Sequence, residues 1–160
     1  SELATELRDA VDEGCAVVVF NAPYDLTLLD RELTRHGLRL DCASQLRVID
    51  PLVLDRHCDA ERGGRRNLAA VCAHYEVPLA EHEAHTAAGD ALAAAQLTQR
   101  LAQAHPALAD RTLEGLHADQ VRWRADQAAA LQTRLRRTRD PHAKVDTRWP
   151  IRPAAVASAA

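Results

Sequence analysis

The run Ala16-Val17-Val18-Val19-Phe20 constrains this chain more than any other stretch, set as it is between a helical pattern stopped by Gly14 and a turn at Asn21-Ala22-Pro23. Five consecutive apolar residues, rich in valine, do not alternate with polar ones. They predict a short strand buried on both faces, as in a parallel or mixed sheet covered by helices. Upstream, Leu3, Leu7, Ala10 and Val11 recur at helical spacing, and downstream Leu26, Leu29 and Leu33 do so until Gly37. Helix, glycine, buried strand and helix again is the rhythm of an α/β domain. Composition agrees, since 47% of residues are hydrophobic but only 3% aromatic, which favours helices over an all-β fold.

The same reading continues along the chain. Leu46-Arg47-Val48-Ile49 predicts a second short strand, and Asp50-Pro51 an N-cap followed by proline at the first helical position, opening a helix over 51–57. Residues 59–66 form a polar loop rich in glycine and arginine. Asn67 caps a helix carrying Leu68, Val71, Cys72 and Tyr75, which Val77-Pro78 ends. Thr86 is the N-cap of a further helix through Leu101. Residues 107–139 predict one long helix or two shorter ones, packed on the domain or on a partner, with Leu113, Leu116, Trp123, Leu131 and Leu135 on a broad stripe. From Pro141 the chain is expected to be extended, and disordered after about residue 153. The expected division is an α/β domain over 1–104, a helical extension over 105–140 and a tail over 141–160.

Some residues carry chemistry at these positions. At 100° per residue, Asp90 lies within about 40° of Ala94, Leu97 and Leu101, on the stripe expected to face the core. An ionised carboxylate there is costly unless a positive group meets it, and a metal ion is a compact way to do so. The helix dipole also favours an acid in a first turn. His85 belongs in the loop just before this helix. Asp25 stands in a first helical turn just past the C-terminal end of a buried strand, where open α/β sheets present side chains to ligands. A plain N-terminal helix acid fits that position equally well, and Asn21 fits a turn former. His82 and His85 lack the matching Cys or His pair of a zinc site.

The formal net charge of −3 rules out a global basic field. Any contact with nucleic acid is then local, and two basic clusters exist, Arg62-Gly63-Gly64-Arg65-Arg66 and Arg134 to Arg139. Either is a phosphate contact or solvated surface. The four cysteines show no C-x-x-C pairing and read as reduced thiols of a cytoplasmic protein. No apolar run is long enough to span a membrane, and no signal-peptide pattern appears.

Asn21-Ala22-Pro23-Tyr24-Asp25 after a strand, followed by His85-x-Ala87-x-x-Asp90-Ala91 opening a helix, resembles the DEDDh family of 3′–5′ exonucleases. That family includes the proofreading epsilon subunit of bacterial DNA polymerase III. The first stretch is similar to its second motif, Asn-x-x-aromatic-Asp, and the second to its third, His-x-Ala-x-x-Asp-Ala. The resemblance covers roughly residues 1–104.

It implies a ribonuclease-H-like fold with a helical C-terminal extension, and two Mg²⁺ or Mn²⁺ ions about 3.5–4 Å apart. It implies Asp90 as a direct metal ligand, Asp25 serving the second metal, and His85 as general base. Asn21 and Tyr24 would contact substrate, and the partners would be single-stranded or 3′-end nucleic acid with a DNA polymerase or a second copy. Hard divalent ions favour carboxylate oxygens, and a base working near neutral pH is most simply a histidine.

The family's first motif, Asp-x-Glu on the first strand, has no counterpart here. Asp9, Asp12 and Glu13 sit on a helix with no strand before them, and the chain lacks methionine and opens at Ser1 in a helical pattern. The expectation is therefore an N-terminally truncated, partial exonuclease fold, inactive alone. Three other readings stand beside it: a catalytically dead ribonuclease-H-like module binding nucleic acid or protein, an oligoribonuclease-like RNA-trimming enzyme, and a structural α/β domain with chance motifs. The motifs do not discriminate the sugar.

Overall fold

The computed structural model describes residues 2–79 and 86–152. Helix α1 (Glu2–Asp12) leads into strand β1 (Ala16–Val18), helix α2 (Ala22–Arg35) and strand β2 (Arg47–Ile49). Helices α3 (Pro51–Cys58), α4 (Leu68–His74), α5 (Ala87–Ala104), α6 (Pro106–Ala109) and α7 (Leu113–Thr138) follow. The two strands pair in parallel with Val17 opposite Val48, and α2 makes the crossover. Gly14, at φ 69°, ends α1 while the Cys15 N–H returns to the Ala10 carbonyl at 2.8 Å. Gly37, at φ 71°, ends α2 while the Leu38 N–H returns to Leu33 at 2.8 Å. Both are left-handed helix stops that glycine adopts without strain.

The predicted caps form. Asp50 accepts from the Leu52 N–H at 3.1 Å, Asn67 from Ala70 at 2.9 Å and Thr86 from Gly89 at 3.0 Å. Pro106 and Thr112 divide the 107–139 segment into a short helix and a long one.

Two expectations need correction. The first strand spans Ala16–Val18 and is half-buried rather than buried on both faces. Among the described residues the sheet has two strands, so β1 has a neighbour on one side only. Asp90 is exposed, not directed into the core. The buried stripe of α5 is Ala93, Ala94, Leu97 and Leu101, and Ala91 and Leu92 in the turn before it are exposed as well. Helical side chains lean toward the N-terminus, so an acid in the first turn overhangs the packed part of the helix and reaches water. His85 lies outside the described residues, as do His82 and the chain beyond residue 152.

The segment beyond residue 104 is built into the same core. Leu108 and Leu116 join Leu54, Val71, Leu97 and Leu101 in one apolar cluster, and Trp149 joins Leu26, Leu33, Leu46 and Val48 in another. α7 also completes the sheet edge. Gln120, fully buried, accepts from the Asp50 N–H at 2.7 Å and donates to the Val48 carbonyl at 3.0 Å, while His117 Nδ1 accepts from the Val48 N–H at 3.0 Å. Side chains of a helix thus satisfy the edge groups a further strand would take up.

A pH dependence follows. His117 must be unprotonated at Nδ1 to accept from Val48. Burial, with Arg47 beside it, lowers its pKa from the ordinary histidine value. A lowered folded-state pKa means stability is complete above about pH 6.5 and is lost as pH falls through the lowered value. His57, lowered by burial, acts in the same direction. The thermal midpoint should therefore drop between about pH 7 and pH 5, and His117→Asn, whose amide oxygen mimics Nδ1, should make the drop shallower. An unchanged slope would remove His117 from the account.

Candidate active site

The Asn21–Asp25 turn follows β1 directly. Asn21 takes a left-handed conformation, φ 61° and ψ 50°, which asparagine tolerates better than most residues. Its side chain does not cap α2. Asp50, across the sheet, holds the turn instead: Oδ1 accepts from the Asn21 N–H at 2.8 Å and Oδ2 from the Ala22 N–H at 3.0 Å. Trp149 Nε1 donates to the same Oδ2 at 3.2 Å. Asp50 is 1% exposed, and burial raises its pKa against these hydrogen bonds.

One carboxylate therefore caps α3, pins the start of α2 and anchors the C-terminal segment through Trp149. The Asp-Pro pair signalled the α3 cap. Nothing local in the sequence signalled the other two uses, which join residues far apart in the chain.

On this turn Asn21, Tyr24 and Asp25 all face solvent, Tyr24 at 67% exposure. The Asp25 carboxyl is raised above its ordinary pKa by partial desolvation, opposed by a backbone hydrogen bond. Asp90 stands in the first turn of α5, above α4, close enough that its charge adds to burial in raising the pKa of the Cys72 thiol. α5 packs on β1, α3 and α4. Neither Asp25 nor Asp90 has a cationic partner within 4 Å among the described residues.

Two unneutralised carboxylates fit hard divalent cations by donor type. No group of three or more metal-binding side chains converges among the described residues, so the two do not form a closed ligand set there. Among the described residues, no direct hydrogen bond joins Asn21, Tyr24 or Asp25 to Asp90.

The basic loop is put to a use the sequence did not show. Arg66 Nη1 bonds the fully buried Asp55 at 2.9 Å, and Arg62 bonds Asp55 and, at 3.0 Å, Asp59. Arg66 also reaches the Arg62 carbonyl at 2.7 Å. Two of the cluster's guanidinium groups thus neutralise a buried acid and fix the loop, a role in which removing one partner strands a charge.

The fold and the turn define an α/β domain with acidic residues displayed at the first turns of two helices. Residues 1–98 match the model of the exonuclease family RNase_T, and the chain belongs to that family. Membership makes it a nuclease-type hydrolase domain whose substrate class is nucleic acid. No curated protein and no solved structure matches it. No helix among the described residues is long and apolar enough to cross a membrane.

Proposed function

We propose that this chain belongs to a 3′–5′ exonuclease of the DEDDh type, similar to the epsilon subunit, that hydrolyses phosphodiester bonds of single-stranded or 3′-end nucleic acid and whose activity needs carboxylates beyond Asp25 and Asp90. The observation that carries the reading is the pair Asp25 and Asp90. Both face solvent from first helical turns and both lack a cation among the described residues, inside the span that matches the exonuclease family. Asp25 and Asp90 would each offer a carboxylate oxygen to divalent ions, Mg²⁺ or Mn²⁺. Bound there, such ions supply an activated water and charge stabilisation for the leaving 3′ oxygen. Asn21 and Tyr24, exposed beside Asp25, meet the terminal nucleotide, and His85 takes the proton from the attacking water.

The test uses a 5′-labelled single strand, with the chain assayed both alone and within its natural reading frame. Stepwise shortening from the 3′ end, stopped by EDTA and restored by Mn²⁺, supports the reading. Cleavage of a strand whose 3′ end is blocked, or shortening from the 5′ end, overturns it. His85→Ala in the active form should lower the single-turnover rate about 10²–10⁴-fold while calorimetric Mn²⁺ affinity stays nearly unchanged. Loss of Mn²⁺ binding in that variant would make His85 a ligand rather than a base.

A further inference from the structure

The two basic stretches, far apart in the sequence, meet at one cavity of about 460 Å³. α3 contributes Arg56, the connecting loop Arg62, Gly63, Gly64 and Arg66, and α7 contributes Arg134. None of the cavity's lining residues is acidic. Arg62 and Arg66 are neutralised from behind by Asp55 and Asp59. Arg56 and Arg134 have no acidic partner within 4 Å among the described residues, although Arg56 is half-buried. Desolvation, then the nearby Arg66 charge, disfavours the Arg56 cation. Two of the four cations lining this open cavity, Arg56 and Arg134, thus have no ion pair among the described residues, and an anion in the cavity would offset their mutual repulsion.

The loop completes the cradle. A Cβ at Gly63 or Gly64 would meet nothing within 4 Å, so the backbone lies open, and Gly64 holds φ +91°. Among the described residues neither Gly63 nor Gly64 donates its N–H to a protein acceptor. Free N–H groups in a left-handed glycine turn beside guanidinium groups are suited to tetrahedral oxyanions.

We propose that this cavity is a phosphate-binding site. It is built partly from α7, beyond the residues that match the exonuclease family, and does not depend on the catalytic reading. Arg134, exposed on α7, is its adjustable arm, whereas Arg62 and Arg66, locked on Asp55, form the rigid wall.

Titration with inorganic phosphate at constant ionic strength, balanced with chloride, tests it through the Gly63 and Gly64 amide resonances. The expected result is a saturable shift of both amides, with affinity lowered about 5–10-fold in Arg134→Gln, a residue exposed enough to change without harming the fold. Asp25→Asn and Asp90→Asn should leave this binding unchanged, so the site and the exonuclease reading fail separately. A second arm measures binding of a fluorescent single strand against salt. If backbone phosphates are the natural occupant, Arg134→Gln weakens strand binding and reduces the slope of log K against log salt by about one. If strand binding is indifferent to Arg134→Gln while phosphate binding falls, the occupant is a free phosphate or phosphomonoester. The absence of a saturable shift at Gly63 and Gly64, or a shift with the same affinity in Arg134→Gln, overturns the proposal.

Discussion

In the active form, Asp90→Asn is expected to lower exonuclease turnover by about 10³-fold or more while leaving the protein folded. A metal ion stabilises several kcal/mol of developing charge in phosphodiester hydrolysis, and each 1.4 kcal/mol is a factor of ten in rate. Structure contributes almost nothing to the loss. Asp90 is exposed and has no ion pair among the described residues, and Thr86 rather than Asp90 caps the helix. Its favourable interaction with the α5 dipole is worth about 0.3–1 kcal/mol at most. Mn²⁺ titration, single-turnover rates and urea unfolding on the same preparation check this together. Rate and metal affinity should fall and the unfolding midpoint should hardly move. An Asp90→Asn protein with undiminished turnover and Mn²⁺ affinity would remove Asp90 from the site.

Asp50→Ala should do the reverse, costing several kcal/mol of stability, because each buried donor left without a partner costs about 1–3 kcal/mol. Four N–H groups, of Asn21, Ala22, Leu52 and Trp149, converge on that carboxylate, and it is 1% exposed. Against a typical total of about 5–15 kcal/mol, that loss brings the chain close to unfolding. Asp50→Asn is the informative companion. Its oxygen can still accept from Asn21 and Leu52, but its NH₂ must face the Ala22 and Trp149 donors, so a smaller loss is expected. Tryptophan fluorescence should register the release of Trp149 in both variants. Urea midpoints equal to wild type in both would show that the turn does not depend on Asp50.

The contrast between these two aspartates marks how far the sequence reading reached. Elements and caps were legible because they depend on neighbours within a few residues: Gly14 and Gly37 as helix stops, Asp50-Pro51, Asn67 and Thr86 as helix starts, and the valine run as a strand. The turn at Asn21 that opens α2 and the start of α5 at Thr86 were legible for the same reason. The orientation of Asp90 was not, because helical periodicity gives the side of a helix and not where its packed length begins.

Tertiary structure alone decided the rest. Asp50 bonds a turn 29 residues away and a tryptophan 99 away, and Gln120 closes a strand edge from 70 residues downstream. Arg62 and Arg66 turn inward because Asp55 is buried beside them, while Arg134 comes to the same cavity from α7. Local spacing encodes where a helix begins and which residues share its face. Which buried polar group is satisfied by which distant partner is set only when the chain packs, because each such group must find a hydrogen bond once water is excluded.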